Sequence, residues 1–464
     1  MHLVLLLATL MSSSLALSRM PKDDDPVIVV GGGLAGLSAA IEIVNQGGKV
    51  ILIDSQKDVG GNSAKASSGI NGCGTAAQKI MKIDDSTDKF YADTMSAGDR
   101  ENNPALVDTL VHDSAESVQF LIDHGVNLMD INLCGGHSVP RTHWIPSPKE
   151  GKPSPVGVTI IRALKQKLLD LQAANPDAVT IKLETEVYGL VTWNDYITGV
   201  NTVHGGPKRE EINGKAVILA TGGYSNDHEK DSLLAEFAPK MIKFPTTNGP
   251  FAKGSGVKIA RAMGAQLVDM QYVQVHPTAF IDPAQPTDRT KFLAAEALRG
   301  KGALLLNDKG VRFGNELGRR DYLTERILED CALDKEANAK VAYMVMNEEA
   351  VQGFGPPAFN FYWKIKKFFT LARCRIFDLI YHSHTLRTFR SSLSSTHSLP
   401  TPHAAIGSKC SRPDFGEKNR RRRRCLCISL AILPFSPKFH QRQPVNFAFV
   451  DYYWLTIAPP CRHF

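Results

Sequence analysis

Three separated segments carry side chains that can hold an anion and move a proton. They are His276-Pro277-Thr278, Glu296-x-x-Arg299 and Arg319-Arg320-Asp321. Guanidinium groups and an imidazole suit a carboxylate-bearing ligand, and a glutamate among them suits proton exchange. The i, i+3 spacing of Glu296 and Arg299 puts both on one face of a helical turn. Taken alone, that spacing also makes an ordinary surface ion pair, and Arg319-Arg320-Asp321 an ordinary solvated run. A second group lies far upstream. Gly31-x-Gly33-x-x-Gly36 is followed 18 residues later by Asp54, and then by Gly60-Gly61-Asn62-Ser63 and Ala66-Ser67-Ser68-Gly69-Ile70-Asn71.

The elements around the glycines decide what they do. Val27–Val30 reads as a buried strand, Leu34–Asn45 as a helix, and Lys49–Ile53 as a second strand ending on Asp54. This is a βαβ unit. Gly31 permits the tight turn, Gly33 lets a diphosphate approach the backbone, and Gly36 lets helix and strand pack closely. The helix start at Leu34 and Ala35 offers free N–H groups and positive dipole to phosphate. Asp54 can accept from ribose hydroxyls. Gly61, Asn62 and Ser63 place small residues and an amide directly after that acid. Ser67, Ser68, Gly69 and Ile70 form a loop against which a flat ring system can lie. A further strand, Lys215–Leu219, runs into Ala220-Thr221-Gly222-Gly223, another close-approach loop. All in this order, they favour FAD over NAD.

Other segments read more simply. Ala105–Gly125, Thr159–Ala173 and Ser255–Met263 have helical periodicity. Val179–Glu186 reads as a strand, and 135–152 as a Gly/Pro/His/Arg-rich loop. The expected class is α/β, with a doubly wound FAD domain.

This order of motifs, over about residues 26–369, resembles the flavoprotein subunit family of succinate dehydrogenase and fumarate reductase. The resemblance implies a substrate-binding role for His276 and a proton-donor role for Arg320, with Glu296 and Arg299 relaying protons to it. It implies an inserted α+β cap domain, and reduction of fumarate to succinate by hydride from flavin N5. Membrane-complex members carry a histidine in the early loop that bonds FAD covalently. Here that loop reads Gly61-Asn62-Ser63-Ala64, so the flavin is expected to be non-covalent. His137 and His143 lie in a loop that resembles one near the flavin. L-Aspartate oxidase, succinate dehydrogenase and ketosteroid dehydrogenase are related alternatives. The missing histidine argues against the second, and the cationic cluster argues against a steroid.

Composition bounds the rest. The net charge is +7, but residues 370–464 hold 15 Lys/Arg against 4 Asp/Glu, so the basic excess is local and implies no nucleic-acid partner for the body. That stretch has 2 of the 37 glycines and the run Arg420–Arg424. It reads as an unrelated, basic, disordered tail, of the kind a retained intron or frameshift would append. A basic binding protein and a non-catalytic splice product are the functional alternatives it raises. The family's return segment, with a further histidine, a further arginine and a Gly-Arg flavin loop, is not found there. The cap and the final flavin segment are therefore expected to be incomplete, and activity reduced or lost.

No cysteine spacing suits a metal site, and Cys425-x-Cys427 is wrong for a zinc knuckle. No Cys-x-x-Cys-His haem motif occurs, so the expected electron donor is a reduced flavin or redox protein. Leu3–Met11 is too short to span a bilayer and resembles a signal-peptide core, followed by Ser12–Ser18. The expected division is a signal peptide at 1–18, an FAD domain at 19–275, a partial cap at 276–369 and the tail. The expected placement is the secretory route or endoplasmic reticulum lumen, with mitochondrion and cytoplasm as alternatives.

Overall fold

The computed structural model describes residues 19–148, 153–206, 208–372 and 425–432. The expected leader at 1–18 and most of the expected tail lie outside them.

The chain starts with β1 (Val27–Val30), α1 (Leu34–Asn45) and β2 (Val50–Ile53). Helices α2 (Thr87–Ala97) and α3 (Pro104–Asp123) follow the short strand β3 (Ile70–Asn71). Asn103 caps α3 by accepting from Ala105 and Leu106 N–H, with Pro104 in the first turn. Then come β4 (Asp130–Asn132), β5 (Thr142–Trp144), α4 (Val156–Ala174), β6 (Val179–Lys182), β7 (Thr185–Trp193), β8 (Tyr196–His204), β9 (Lys208–Asn213) and β10 (Ala216–Leu219). β10, β1, β2 and β6 form a parallel sheet in that order, with Val29 opposite both Leu52 and Ile218. VIVV and VILI are unbroken apolar runs because both faces of the sheet are covered: α1 and α4 bury Leu37, Ile41, Ile160 and Leu164 against Val29 and Leu52, and Val187, Val200 and Ile212 pack against Ile28, Val30 and Ile53 on the other face. β7, β8 and β9 form a separate antiparallel sheet.

After α5 (Ser255–Ala262) the cap begins. It holds β11 (Ala279–Phe280), β12 (Phe292–Leu293), α6 (Glu296–Gly300), β13 (Leu304–Leu306), α7 (Arg320–Asp330), β14 (Leu333–Asp334), β15 (Ala339–Met346), β16 (Thr370–Ala372) and β17 (Cys425–Ile432). Its main sheet runs β12-β11-β17-β15-β13. One apolar core joins both parts, from Val29 and Leu52 through Trp144 to Phe280, Met344 and Phe368.

Three sequence expectations are corrected. The strand expected at Val179–Glu186 is two strands in two sheets, because Glu184 takes φ +49° between them. The loop expected at 135–152 contains β5, which pairs with β3 and β4. The tail expected to stay off the body contributes β17, whose backbone pairs with β11, β15 and β16. Cys425–Ile432 reads CLCISLAI, a nearly continuous apolar run, which suits a strand at the centre of a sheet and needs no alternation.

Candidate active site

The glycine motif opens a cleft of about 940 Å³. It is lined by Gly31, Gly33, Leu34, Ala35, Asp54, Gly61, Asn62, Ser63 and Ala220 to Gly223. The three motif glycines have different reasons. Gly31 has φ +105°, and a Cβ there would lie 2.3 Å from the Ala220 carbonyl oxygen. A Cβ on Gly36 would lie 1.8 Å from the Gly31 carbonyl oxygen. Both are needed by the protein itself. A Cβ on Gly33 would meet only Ser63 Oγ, at an ordinary 3.5 Å. Its smallness serves the cleft, not the fold. Gly33, at the start of helix α1, has no side chain to cap it, and the first turn holds no acid; apart from Leu34 N–H, which Ser63 Oγ takes, the positive end is left for a phosphate. These features fit a bound dinucleotide.

Asp54 sits across the glycine turn. Its Oδ2 accepts from Gly32 N–H at 2.7 Å and its Oδ1 from Gln56 N–H at 2.8 Å. Burial raises this carboxyl, and the two backbone bonds oppose the rise. Each oxygen keeps a second lone pair for a ribose hydroxyl. Ser63 Oγ accepts from Leu34 N–H at 3.2 Å, and Asn62 Oδ1 from Gly249 N–H at 2.9 Å. Phe251, Val187 and Val203 also line the cleft, and nothing in their local sequence marks them. Ser68, in the loop expected from sequence to lie against a ring, accepts from Ala297 N–H at 3.3 Å and so ties that loop to the cap. Ser67 Oγ is buried with no hydrogen-bond partner among the described residues. Gly69 takes φ +121°, and Ile70 begins β3.

The distant acid–base segments meet. Glu296 is 3% exposed. Its Oε2 accepts from Arg320 Nη2 at 3.0 Å and Nε at 3.3 Å, and its Oε1 from Gly135 N–H at 2.5 Å. Arg320, at the start of α7, also donates from Nη1 to Gln274 Oε1 at 2.7 Å. Gly135 must lack a side chain, since its Cβ would sit 2.7 Å from the Gly318 carbonyl oxygen and 3.0 Å from Glu296 Oε1. Arg299 follows one turn after Glu296, and both are buried. Its Nη1 donates to the Glu316 carbonyl at 2.5 Å, while Nε and Nη2 have no hydrogen-bond partner among the described residues.

The charges in this cluster act on one another. Burial raises the Glu296 carboxyl, but Arg320 and Arg299 outweigh it and hold the group well below the usual carboxylate range. Burial lowers Arg299, Glu296 opposes this, and Arg320 adds to the lowering. Burial, then Arg320 and Arg299, push His276 down to about 3. His276 Nδ1 donates to the Thr278 carbonyl at 2.9 Å, so its Nε2 is bare in the neutral ring. It becomes a donor to a carboxylate only by gaining a proton. Cys134 lies beside this cluster, and burial followed by Glu296 pushes its thiol up to about 12. The neighbouring Arg319 is occupied elsewhere, by ion pairs to Asp99 and Asp321.

Of the residues singled out by sequence, His276, Glu296, Arg299 and Arg320 come into one cluster. Gln274 and Gly135 complete it without having been singled out. Gln274 carried one signal, its place two residues before His276. Gly135 carried none beyond a glycine pair. His143 is fully buried, with Nδ1 to the Arg141 carbonyl at 2.9 Å and Nε2 at 2.7 Å from Thr75 Oγ1.

Residues 26–416 match the FAD binding domain family. The chain is 37% identical over 343 residues to a fumarate reductase of Schizosaccharomyces pombe, covering 73% of this chain and 64% of that protein. It is 38% identical over 331 residues to fumarate reductase 1 of Saccharomyces cerevisiae, covering 70% and 67%. The chain thus spans about two thirds of the length of these relatives. The open conformation of a flavocytochrome c3 fumarate reductase superimposes with a TM-score of 0.60 at 27% identity, over 89% of this chain and 67% of that one. The glycine turn, the acid after the second strand and the length of the match lead to one conclusion: the chain belongs to the FAD binding domain family, with FAD as its cofactor.

Proposed function

We propose that this site reduces fumarate to succinate. The observation that carries the reading is the buried Glu296, clamped between Arg320 and Gly135 N–H, with Arg299 and His276 around it and the ring-facing loop tied to it through Ser68 and Ala297. Bound non-covalently and reduced, FAD supplies a hydride. Arg320 and Arg299 draw a dicarboxylate and polarise it, which makes the alkene a hydride acceptor. Arg320, whose side chain is 32% exposed, faces both Glu296 and the open side. It donates the proton to the second alkene carbon. Arginine is a weak acid, with a pKa above ~12, so it needs a route for recharging. Glu296 and then Arg299 provide that route. His276 holds one carboxylate by taking a proton once the bound dianion offsets the Arg320 and Arg299 charges that, added to burial, otherwise keep the ring neutral.

The S. pombe and S. cerevisiae relatives named above support a dicarboxylate substrate. A reduced flavin or redox protein serves as donor, and the secretory route as the location. No helix among the described residues is long and apolar enough to cross a membrane.

The test uses residues 19–464 and follows anaerobic oxidation of reduced viologen with fumarate and, in separate arms with an oxidised dye as electron acceptor, oxidation of L-aspartate or a saturated 3-ketosteroid. Fumarate-dependent oxidation that Arg320→Ala abolishes supports the reading. Oxidation of another substrate alone, or Arg320→Ala at full rate, overturns it. Acid precipitation should release the flavin into solution.

A further inference from the structure

We propose that His137 is a positioning residue: held as its Nε2–H tautomer by Arg141, it donates to Asn71 and so bridges the ring-facing loop to the loop that clamps Glu296. The inference rests on the flavin-site reading above, and its tautomer arm does not depend on the substrate.

The loop from Gly135 to Arg141 is anchored at both ends. At one end Gly135 N–H donates to Glu296 at 2.5 Å and Gly136 N–H to the Leu317 carbonyl at 3.1 Å. At the other, Arg141 is fully buried. Its Nη2 and Nε donate to Asp85 at 2.8 and 3.1 Å, and its Nη1 to Asp93 at 2.6 Å. Its guanidinium also lies 4.6 Å over the Phe90 ring. Ser138 adds two bonds to Asp93, each 2.8 Å. His137 sits between these anchors.

Arg141 decides the proton on His137. Its Nη1 lies 3.1 Å from His137 Nδ1. A guanidinium only donates, so Nδ1 accepts and the neutral ring carries its proton on Nε2. That nitrogen lies 3.3 Å from the Asn71 side-chain amide. If the amide nitrogen faced it, two donors would oppose each other. The amide oxygen must therefore face His137. The amide nitrogen then faces Thr142 Oγ1, 2.6 Å from the amide's other end, and donates to that hydroxyl. Asn71 directly follows Ser67, Ser68, Gly69 and Ile70. Burial and the Arg141 charge keep His137 neutral, with its pKa lowered to about 4.

Two substitutions separate the roles. His137→Asn puts an amide near Nδ1, so Arg141 keeps an acceptor but Asn71 loses its donor. His137→Gln reaches the Nε2 position and restores the donor to Asn71. If His137 bridges, Gln preserves the flavin absorption bands and potential, and Asn shifts both. Asn should also lower kcat about tenfold with little change in KM, as expected when geometry rather than substrate binding is lost. If His137 only fills space beside Arg141, Asn preserves these readouts and Gln does not, and the proposal is overturned. Nitrogen-15 NMR of histidine-labelled protein at pH 7 reads the tautomer directly, with the signal assigned by its loss in His137→Gln. An Nε2–H ring is the expected result; an Nδ1–H ring or an imidazolium overturns the proposal. Failure of the wild type to reduce fumarate would sink the substrate reading but leave these flavin and tautomer tests standing.

Discussion

Replacing Glu296 with glutamine changes one atom's chemistry and tests the whole cluster. The carboxylate accepts on both oxygens, from Gly135 N–H at 2.5 Å and from Arg320 at 3.0 and 3.3 Å. Glutamine has one acceptor oxygen. Whichever donor it serves, its amide nitrogen then faces the other donor. One charge-assisted hydrogen bond is lost, worth about 1.5–3 kcal/mol. Arg299 and Arg320 also lose their counter-charge in a site where Glu296 is 3% exposed. Breaking a buried pair in this way costs about 3–5 kcal/mol, which we take as the expected destabilisation. Urea unfolding at pH 7 measures it. The pH dependence gives a second check. The folded carboxyl titrates below its unfolded value, so its contribution is present above pH ~4.3 and fades as pH falls through the folded value. The gap between wild type and Glu296→Gln should therefore narrow below about pH 4. Turnover should fall about 10²–10⁴-fold while bound FAD is unchanged, as for loss of a proton-transfer group. A stability loss under about 1 kcal/mol together with turnover within about tenfold of wild type would refute the cluster as an acid–base unit.

Two further outcomes follow from the geometry. Gly31→Ala places a Cβ against immovable backbone, so it should lower both apo stability, by about 1–3 kcal/mol, and FAD retention. Gly33→Ala meets only Ser63 Oγ, so thermal unfolding of the apo protein should hardly move while FAD titration weakens; equal apo damage from both would show that Gly33 is not a ligand-facing position. In acid, His276 and His137 stay neutral in the fold to about 3 and about 4, and His143 is lowered by burial. Depressed folded values mean stability that is present above pH ~6.5 and lost on acidification, by up to about 1.4 kcal/mol per pH unit for each ring. Urea midpoints between pH 6.5 and 5 should fall less steeply in His276→Gln, and an unchanged slope would contradict the burial of that ring.

The dinucleotide half of the molecule was legible early because its requirements are local. A turn at φ +105°, a helix start without a cap and an acid at the next strand end are all written within one βαβ unit. The strands β1 and β2 announced themselves as unbroken apolar runs. The same logic misled at Val179–Glu186, where a single reversed dihedral at Glu184 moves the chain to another sheet. It also missed β17, whose apolar run has no alternation to read and whose partners are distant in the chain.

Residue types and spacing alone determined that cations, an imidazole and a glutamate were available, and that glycines shaped a cleft. The tertiary structure decided which arginine the glutamate holds. Arg319 and Arg320 are adjacent in sequence, yet one is spent on Asp99 and Asp321 while the other reaches Glu296 and Gln274. The donor from Gly135 arrives across 161 residues. Backbone turns are set by the dihedrals of a few neighbours. The partner of a buried charge is set by which distant groups the packed core brings within hydrogen-bond reach, and no local pattern encodes that.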